Sequence, residues 1–319
     1  MIKNMHDGLI SALENTLPPN KNIANALLDI LPLGKEAVYR RLRGHVQFTL
    51  DEAVIISKEL GISLDEIAGI KDKDRAVFGL RLLQSENLID KYCEVLNMYT
   101  RIFLKLKDCH SKVIAAFRII PYSFVLPFSN LSKFKLYRWI YQTQAITNTI
   151  PFSELIVPQK VIDTQKRFID EIRFITYSYF IFDRNMFTSF AREINYFAKQ
   201  NLISDTEVQD LKSEIFELLS VIELTAATGT YSTGKSISLY LSDVDFDASY
   251  AYFRGDDIEL SLLSLYSIGV IDSENPYVCQ SHKEWIESLR RFSTLITQSG
   301  EKERKSFFKI QKELINNIL

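Results

Sequence analysis

The chain has 319 residues, 46% of them hydrophobic and 24% charged, the make-up of an ordinary globular protein with a sizeable core. Its 38 basic side chains are balanced by 40 acidic ones, and the net charge of −2 excludes a surface coated for nucleic acid but not a local basic face. Three cysteines (Cys93, Cys109 and Cys279) are too few and too scattered for a disulfide framework, and no stretch reaches the roughly 20 apolar residues a membrane span needs, so a soluble, cytoplasmic protein is expected.

From the N-terminus, Leu9, Ile10, Leu13 and Leu17 recur at helical spacing and Pro18-Pro19 ends that helix. Asn20 or Asn22 can cap a second helix carrying Ile23, Leu27, Leu28 and Ile30. Pro32-Leu33-Gly34 then turns into a short, strongly basic helix that holds Lys35, Arg40, Arg41 and Arg43 and closes at Gly44. Thr49 with Glu52, and Ser63 with Glu66, spell capping boxes for two further helices, with Gly61 as the stop between them. Residues 1–70 thus read as a compact helical unit of five short helices. The charged run Lys71 to Arg75 marks the boundary, with 71–84 as linker and 85–319 as a second domain.

Beyond the linker, Glu86 to Arg118 reads as one long helix of about 50 Å, with apolar residues from Ile89 to Phe117 spaced three and four apart. The stripe is wide, as in a helix laid across its own core rather than in a two-stranded seam. Leu131 to Gln144, Gln159 to Ile175, Asn185 to Gln200 and Asp205 to Thr225 look helical, the last opened by Ser204. After Gly229 the period changes to alternation. Ile237, Leu239 and Leu241, then Tyr250, Tyr252 and Phe253, suggest a β-hairpin, with a third strand over Leu262 to Ile271 and a last helix from Glu301 to Ile318. The expected fold class is mainly α: an N-terminal five-helix DNA-binding domain followed by a larger, mostly helical α+β domain with a small antiparallel sheet.

The basic helix carries the functional signal. Val38 and Leu42, four apart, would pack inward. Lys35, Glu36, Tyr39 and Arg40 are then the candidates for base edges, because a recognition helix reads with its first turns, and Arg matches the acceptors of guanine. Arg41, Arg43 and His45 are assigned to phosphate. The layout of residues 5 to 70, with Val38, Arg40 and Gly44 and the tail from Ala53 to Ile67 (A-x-x-I-x-x-x-L-G-I-S-L-D-E-I), resembles the lambda-repressor-like (Xre-type) helix-turn-helix family. More loosely it is similar to BetR-type regulators, which carry such a domain at the N-terminus. The resemblance covers under a quarter of the chain and does not extend to residues 85–319. It implies a regulator bound to double-stranded DNA, acting as a homodimer. One departure is that the second helix lacks the glutamine that family members often use for a phosphate contact, so Lys21, Asn22 or Asn25 would have to substitute.

Other motifs weigh less. Gly229 to Ser236 fits the P-loop formula G-x-x-x-x-G-K-S, but helix-like sequence precedes it and strand-like sequence follows, the reverse of what phosphate binding needs. Asp243, Asp245 and Asp247 begin like a calcium loop but lack its Gly and Glu, with Ala248 and Arg254 in those places. Cys279 and His282 have metal-ligand spacing without a second pair. No catalytic or metal site and no cofactor is therefore expected. Tyr137, Trp139, Tyr177, Tyr179, Phe180, Phe182, Tyr196 and Phe197 read as core, or as the lining of an effector pocket if there is one; no motif supports an effector. The expected function is a sequence-specific DNA-binding transcriptional regulator rather than an enzyme. A P-loop nucleotide-binding protein and a non-catalytic interaction scaffold are the alternatives.

Overall fold

A computed structural model describes residues 4–17, 22–68, 76, 78–81, 87–107, 110–143, 150–265 and 268–319. The chain divides into two compact units, Met1–Val77 and Phe78–Leu319.

In the first unit α1 (Met5–Thr16), α2 (Ile23–Ile30), α3 (Lys35–Leu42) and α4 (Leu50–Leu60) are followed by a short α5 (Leu64–Ala68). Local chemistry sets these bounds. The Asn22 side chain accepts from the Asn25 amide at the start of α2. Thr49 and Glu52 form the expected capping box on α4, which Gly61 ends in the left-handed region at φ 68°. The second expected box, Ser63 with Glu66, involves a side chain outside those described, as does the charged joint at residues 71–75. Leu9, Leu13, Ala24, Leu27, Leu31, Val38, Ile56 and Ile62 form the core of this unit.

The second unit is built on an eight-stranded sheet in the order β1-β7-β6-β5-β2-β3-β4-β8. The strands are β1 (Gly79–Arg81), β2 (Lys112–Phe117), β3 (Tyr177–Phe182), β4 (Ser236–Ser242), β5 (Tyr250–Arg254), β6 (Glu259–Leu265), β7 (Gly269–Ser273) and β8 (Ser293–Leu295). Strands β2, β3 and β4 are parallel neighbours, and every other pairing is antiparallel. The parallel strands are joined through helices. Between β2 and β3 run α7 (Tyr122–Val125), α8 (Ser129–Thr143), a 3-10 turn at Phe152–Glu154 and α9 (Gln159–Ile172); between β3 and β4 run α10 (Met186–Lys199) and α11 (Asp205–Thr228). The remaining helices are α6 (Leu88–Lys107), α12 (Pro276–Arg291) and α13 (Glu301–Ile318).

The two faces of the sheet are buried unequally. Val113 and Ala115 of β2, Phe180 and Phe182 of β3, and Ile237, Leu239 and Leu241 of β4 join a large core with α6 and α8–α11 and α13. The alternate residues Ile114, Ala116, Tyr179, Ile181 and Tyr252 form a smaller core with Cys279, Ile286 and Leu289 of α12. Glu214 of α11 fixes the start of α8: its carboxylate accepts from the Asn130 amide (3.2 Å), the Asn130 carboxamide (3.0 Å) and the Leu131 amide (2.9 Å).

This architecture corrects the expected fold class. The sheet is large and mixed, not small and antiparallel; in the first unit the expected five short helices reduce, among the described residues, to four of eight or more residues and a single five-residue turn, α5. The long helix expected over Glu86 to Arg118 ends at Lys107, and Lys112–Phe117 is strand β2, buried on both faces. The expected hairpin does not exist, because β2 and β3 lie between β4 and β5. The expected third strand is two, β6 and β7. Gly79–Arg81, placed in the linker by sequence, pairs with β7. Among the described residues no helix is long and apolar enough to cross a membrane.

Candidate nucleic-acid interface

The basic helix α3 is anchored by one residue and held at its end by another element. Val38 is fully buried in a core that includes Leu27 of α2 and Ile56 of α4. Gly34 precedes the helix in extended conformation and offers no side-chain cap, so the first amides of α3 keep their donor capacity and the positive end of the dipole. At the other end Gly44 sits at φ 74°, a conformation that costs glycine little. The His45 amide donates to the Arg40 carbonyl and the Gly44 amide to the Arg41 carbonyl, both at 2.9 Å, closing a Schellman motif.

Buried His6 of α1 locks this end. Its Nδ1 accepts from the Phe48 amide at 3.2 Å, which leaves the Nε2 hydrogen to donate to the Arg41 carbonyl at 2.9 Å. The ring also packs on Phe48, centroid to centroid 5.3 Å. One imidazole thus ties α1, the C-terminus of α3 and the segment before α4 together.

The seven candidate residues divide. Lys35, Glu36, Arg40, Arg43 and His45 are exposed, and Tyr39 is half-buried. The Arg43 guanidinium lies over the Tyr39 ring at 5.8 Å. Arg41, assigned by sequence to phosphate, is held within the protein. Its Nε and Nη2 donate to the two oxygens of Glu52, each at 2.8 Å, and Nη1 donates to the Ala37 carbonyl at 3.2 Å. Both side chains of the pair are about nine-tenths buried, at 13% and 12% exposure. Burial alone would push the Glu52 carboxyl up, but the Arg41 fork and the Thr49 amide and hydroxyl outweigh it and hold the carboxyl below its usual range. The basic set open to a ligand is therefore Lys35, Arg40, Arg43 and His45, with Glu36 beside them.

For the missing glutamine, Asn25 is exposed on α2, the Asn22 carboxamide caps that helix, and Lys21 lies outside the described residues. His6 and the second role of Glu52 were not read from sequence. A buried glutamate at the N3 position of a capping box, eleven residues from an arginine, was the available signal.

The competing motifs resolve into structure. Gly229, at φ 72°, caps the C-terminus of α11, and Ser236 opens β4, so the P-loop lettering runs from a helix into a strand. Asp243 accepts from Thr294 Oγ1 at 2.9 Å and pairs with Arg184; no group of three or more His, Cys, Asp or Glu able to hold a metal occurs among the described residues. Cys279 is buried and donates to the Ser273 carbonyl at 3.3 Å, while His282 Nδ1 bonds the hydroxyl of Ser261, itself 1% exposed. This serine–histidine contact joins α12 to β6, with the serine buried and the histidine half-buried. Of the eight aromatics expected as core, Tyr196 is exposed and the others are buried or half-buried. No family model matches the chain, and neither a curated protein nor a solved structure matches it significantly.

Proposed function

We propose that the chain is a sequence-specific DNA-binding transcriptional regulator, of the Xre type that its first 70 residues resemble, and not an enzyme. The observation that carries this reading is the division of labour on α3. Val38 and Arg41 root the helix, while Lys35 at its uncapped N-terminus and Arg40 and Arg43 toward its other end stay exposed. A helix of that build can enter a major groove. Its first turns place Lys35, Glu36, Tyr39 and Arg40 at the base edges, with Arg40 on a guanine. Arg43 and His45, past the last turn, take backbone phosphates.

One such helix contacts few base pairs, so the functional unit is a homodimer that places two readers about 34 Å apart on a near-palindrome. The second unit is assigned to pairing the readers. With a net charge of −2, no general attraction to DNA supplements the helix. Selection from a random duplex library with the full chain tests the reading. It should return a consensus with two related half-sites about one helical turn apart; a pool no different from the input would overturn the proposal.

A further inference from the structure

The second unit holds a partly open cavity of about 120 Å³ between α6, α9 and the larger-core face of the sheet. Its wall is predominantly apolar, with Tyr92, Leu96, Phe168, Phe253, Leu262 and Val270 among the residues around it. Packed interiors hold few voids larger than a water molecule. A space of this size could contain several waters by volume, yet an apolar wall gives them too few hydrogen-bond partners. An apolar cavity of about 150 Å³ is known to stay dry and to take up benzene, so size and lining together fit one ring. A ligand that fills the space restores the dispersion contacts the lining side chains lack.

One polar residue of the wall, Tyr92, is backed by a hydrogen-bond chain from residues behind it. The hydroxyl of buried Ser132 donates to Gln165 Oε1 at 2.9 Å, and Gln165 Nε2 donates to Tyr92 Oη at 2.8 Å. Each link passes its donor forward, so the chain ends on a wall residue whose own hydroxyl hydrogen is what it has to give. Burial pushes the Tyr92 phenol far above its usual range, which keeps that hydrogen in place at any physiological pH. We propose that this cavity binds a small, largely apolar molecule about one aromatic ring in size, bearing a single hydrogen-bond acceptor that faces Tyr92. The site is independent of DNA binding, and the test uses no DNA.

The probes are p-cresol and toluene, which share a ring and a methyl group and differ by one hydroxyl oxygen. Ligand-observed NMR titration of the full chain should give saturable binding of both, with p-cresol at least about threefold tighter. Tyr92→Phe should remove that difference and leave toluene binding intact. Ala251→Leu on β5 and Ser264→Leu on β6 each extend a wall residue into the cavity. Either, once shown to fold by its cooperative thermal transition, should weaken both probes about tenfold or more. Absence of saturable binding to the wild-type chain overturns the proposal whatever the variants do. Unchanged affinity in a folded filling variant overturns the location, and an undiminished preference for p-cresol in Tyr92→Phe overturns the polar assignment.

Discussion

Arg41 and Glu52 form a two-pronged ion pair, both contacts 2.8 Å, that joins the recognition candidate α3 to the first turn of α4. The same carboxylate accepts the Thr49 amide at 2.9 Å, so one glutamate serves both the capping box and the arginine. Removing one partner leaves the other charge buried and unpaired. Arg41→Ala should therefore destabilise the first unit by about 3 kcal/mol. Arg41→Met with Glu52→Gln should recover much of the loss, since glutamine still completes a capping box and carries no charge. Chemical denaturation followed by helix content checks both; a double variant no better than the single one would contradict this account of the pair.

Arg40 and Arg43 should separate in their effects on DNA. Arg40→Ala is expected to cost about 1–3 kcal/mol on the preferred duplex and little on a scrambled one, the behaviour of a base contact. Arg43→Ala should weaken both duplexes alike and lower the slope of log affinity against log salt by about one. Fluorescence anisotropy at several salt concentrations distinguishes them. Equal effects of the two substitutions would refute the division into base-side and phosphate-side residues.

Lys135 of α8 predicts a pH dependence. Its ammonium donates to the Ile120 carbonyl at 2.6 Å and lies 4.3 Å from the Tyr122 ring centroid. Burial nonetheless pushes the amine down to about 7, with Arg138 adding to the shift and Glu193 opposing it. In the unfolded chain the amine titrates near its ordinary value of about 10.4. Between these values the unfolded state binds more protons, so this lysine makes stability rise with pH from about 7 upward, by at most about 1.4 kcal/mol per unit. Below pH 7 the full cost of the buried charge is present in the folded state. Lys135→Met should remove this contribution to the slope between pH 7 and 9.5, read from urea unfolding midpoints, and an identical slope in the variant would contradict the assignment.

Glu214→Ala should cost about 1–2 kcal/mol by releasing the Asn130 and Leu131 amides that open α8. Glu214→Gln, which still has a carbonyl oxygen to accept with, should lose less. Thermal unfolding of the two variants orders them, and the reverse order would contradict the capping role of the side-chain oxygens.

Local punctuation was readable in the sequence. The Thr49–Glu52 box, Gly61, Gly44 and the Ser204 cap all lie where the letters placed them, because each is decided by a few adjacent residues. The sheet was not readable, for a physical reason. Strands β2 and β3 are covered on both faces, so they show continuous apolar runs without the alternation that marks a half-buried strand. Val113 and Phe117 of β2 are four apart and continued the helical spacing of α6, which hid the break at Lys107. The pairing of β4 with β3 rather than β5 depends on contacts across more than 50 residues, which no local pattern encodes. At the candidate interface, spacing identified the outward face of α3 but could not reveal that Arg41 turns toward Glu52, eleven residues away.

Whether α3 reads sequence in DNA is measured by the affinity ratio between the selected duplex and a scrambled duplex of equal length at physiological salt. The full chain should prefer the selected duplex by about a hundredfold or more, and Arg40→Ala should collapse the preference while Arg43→Ala leaves the ratio nearly unchanged. Equal binding of the two duplexes by the wild-type chain would contradict sequence reading by α3.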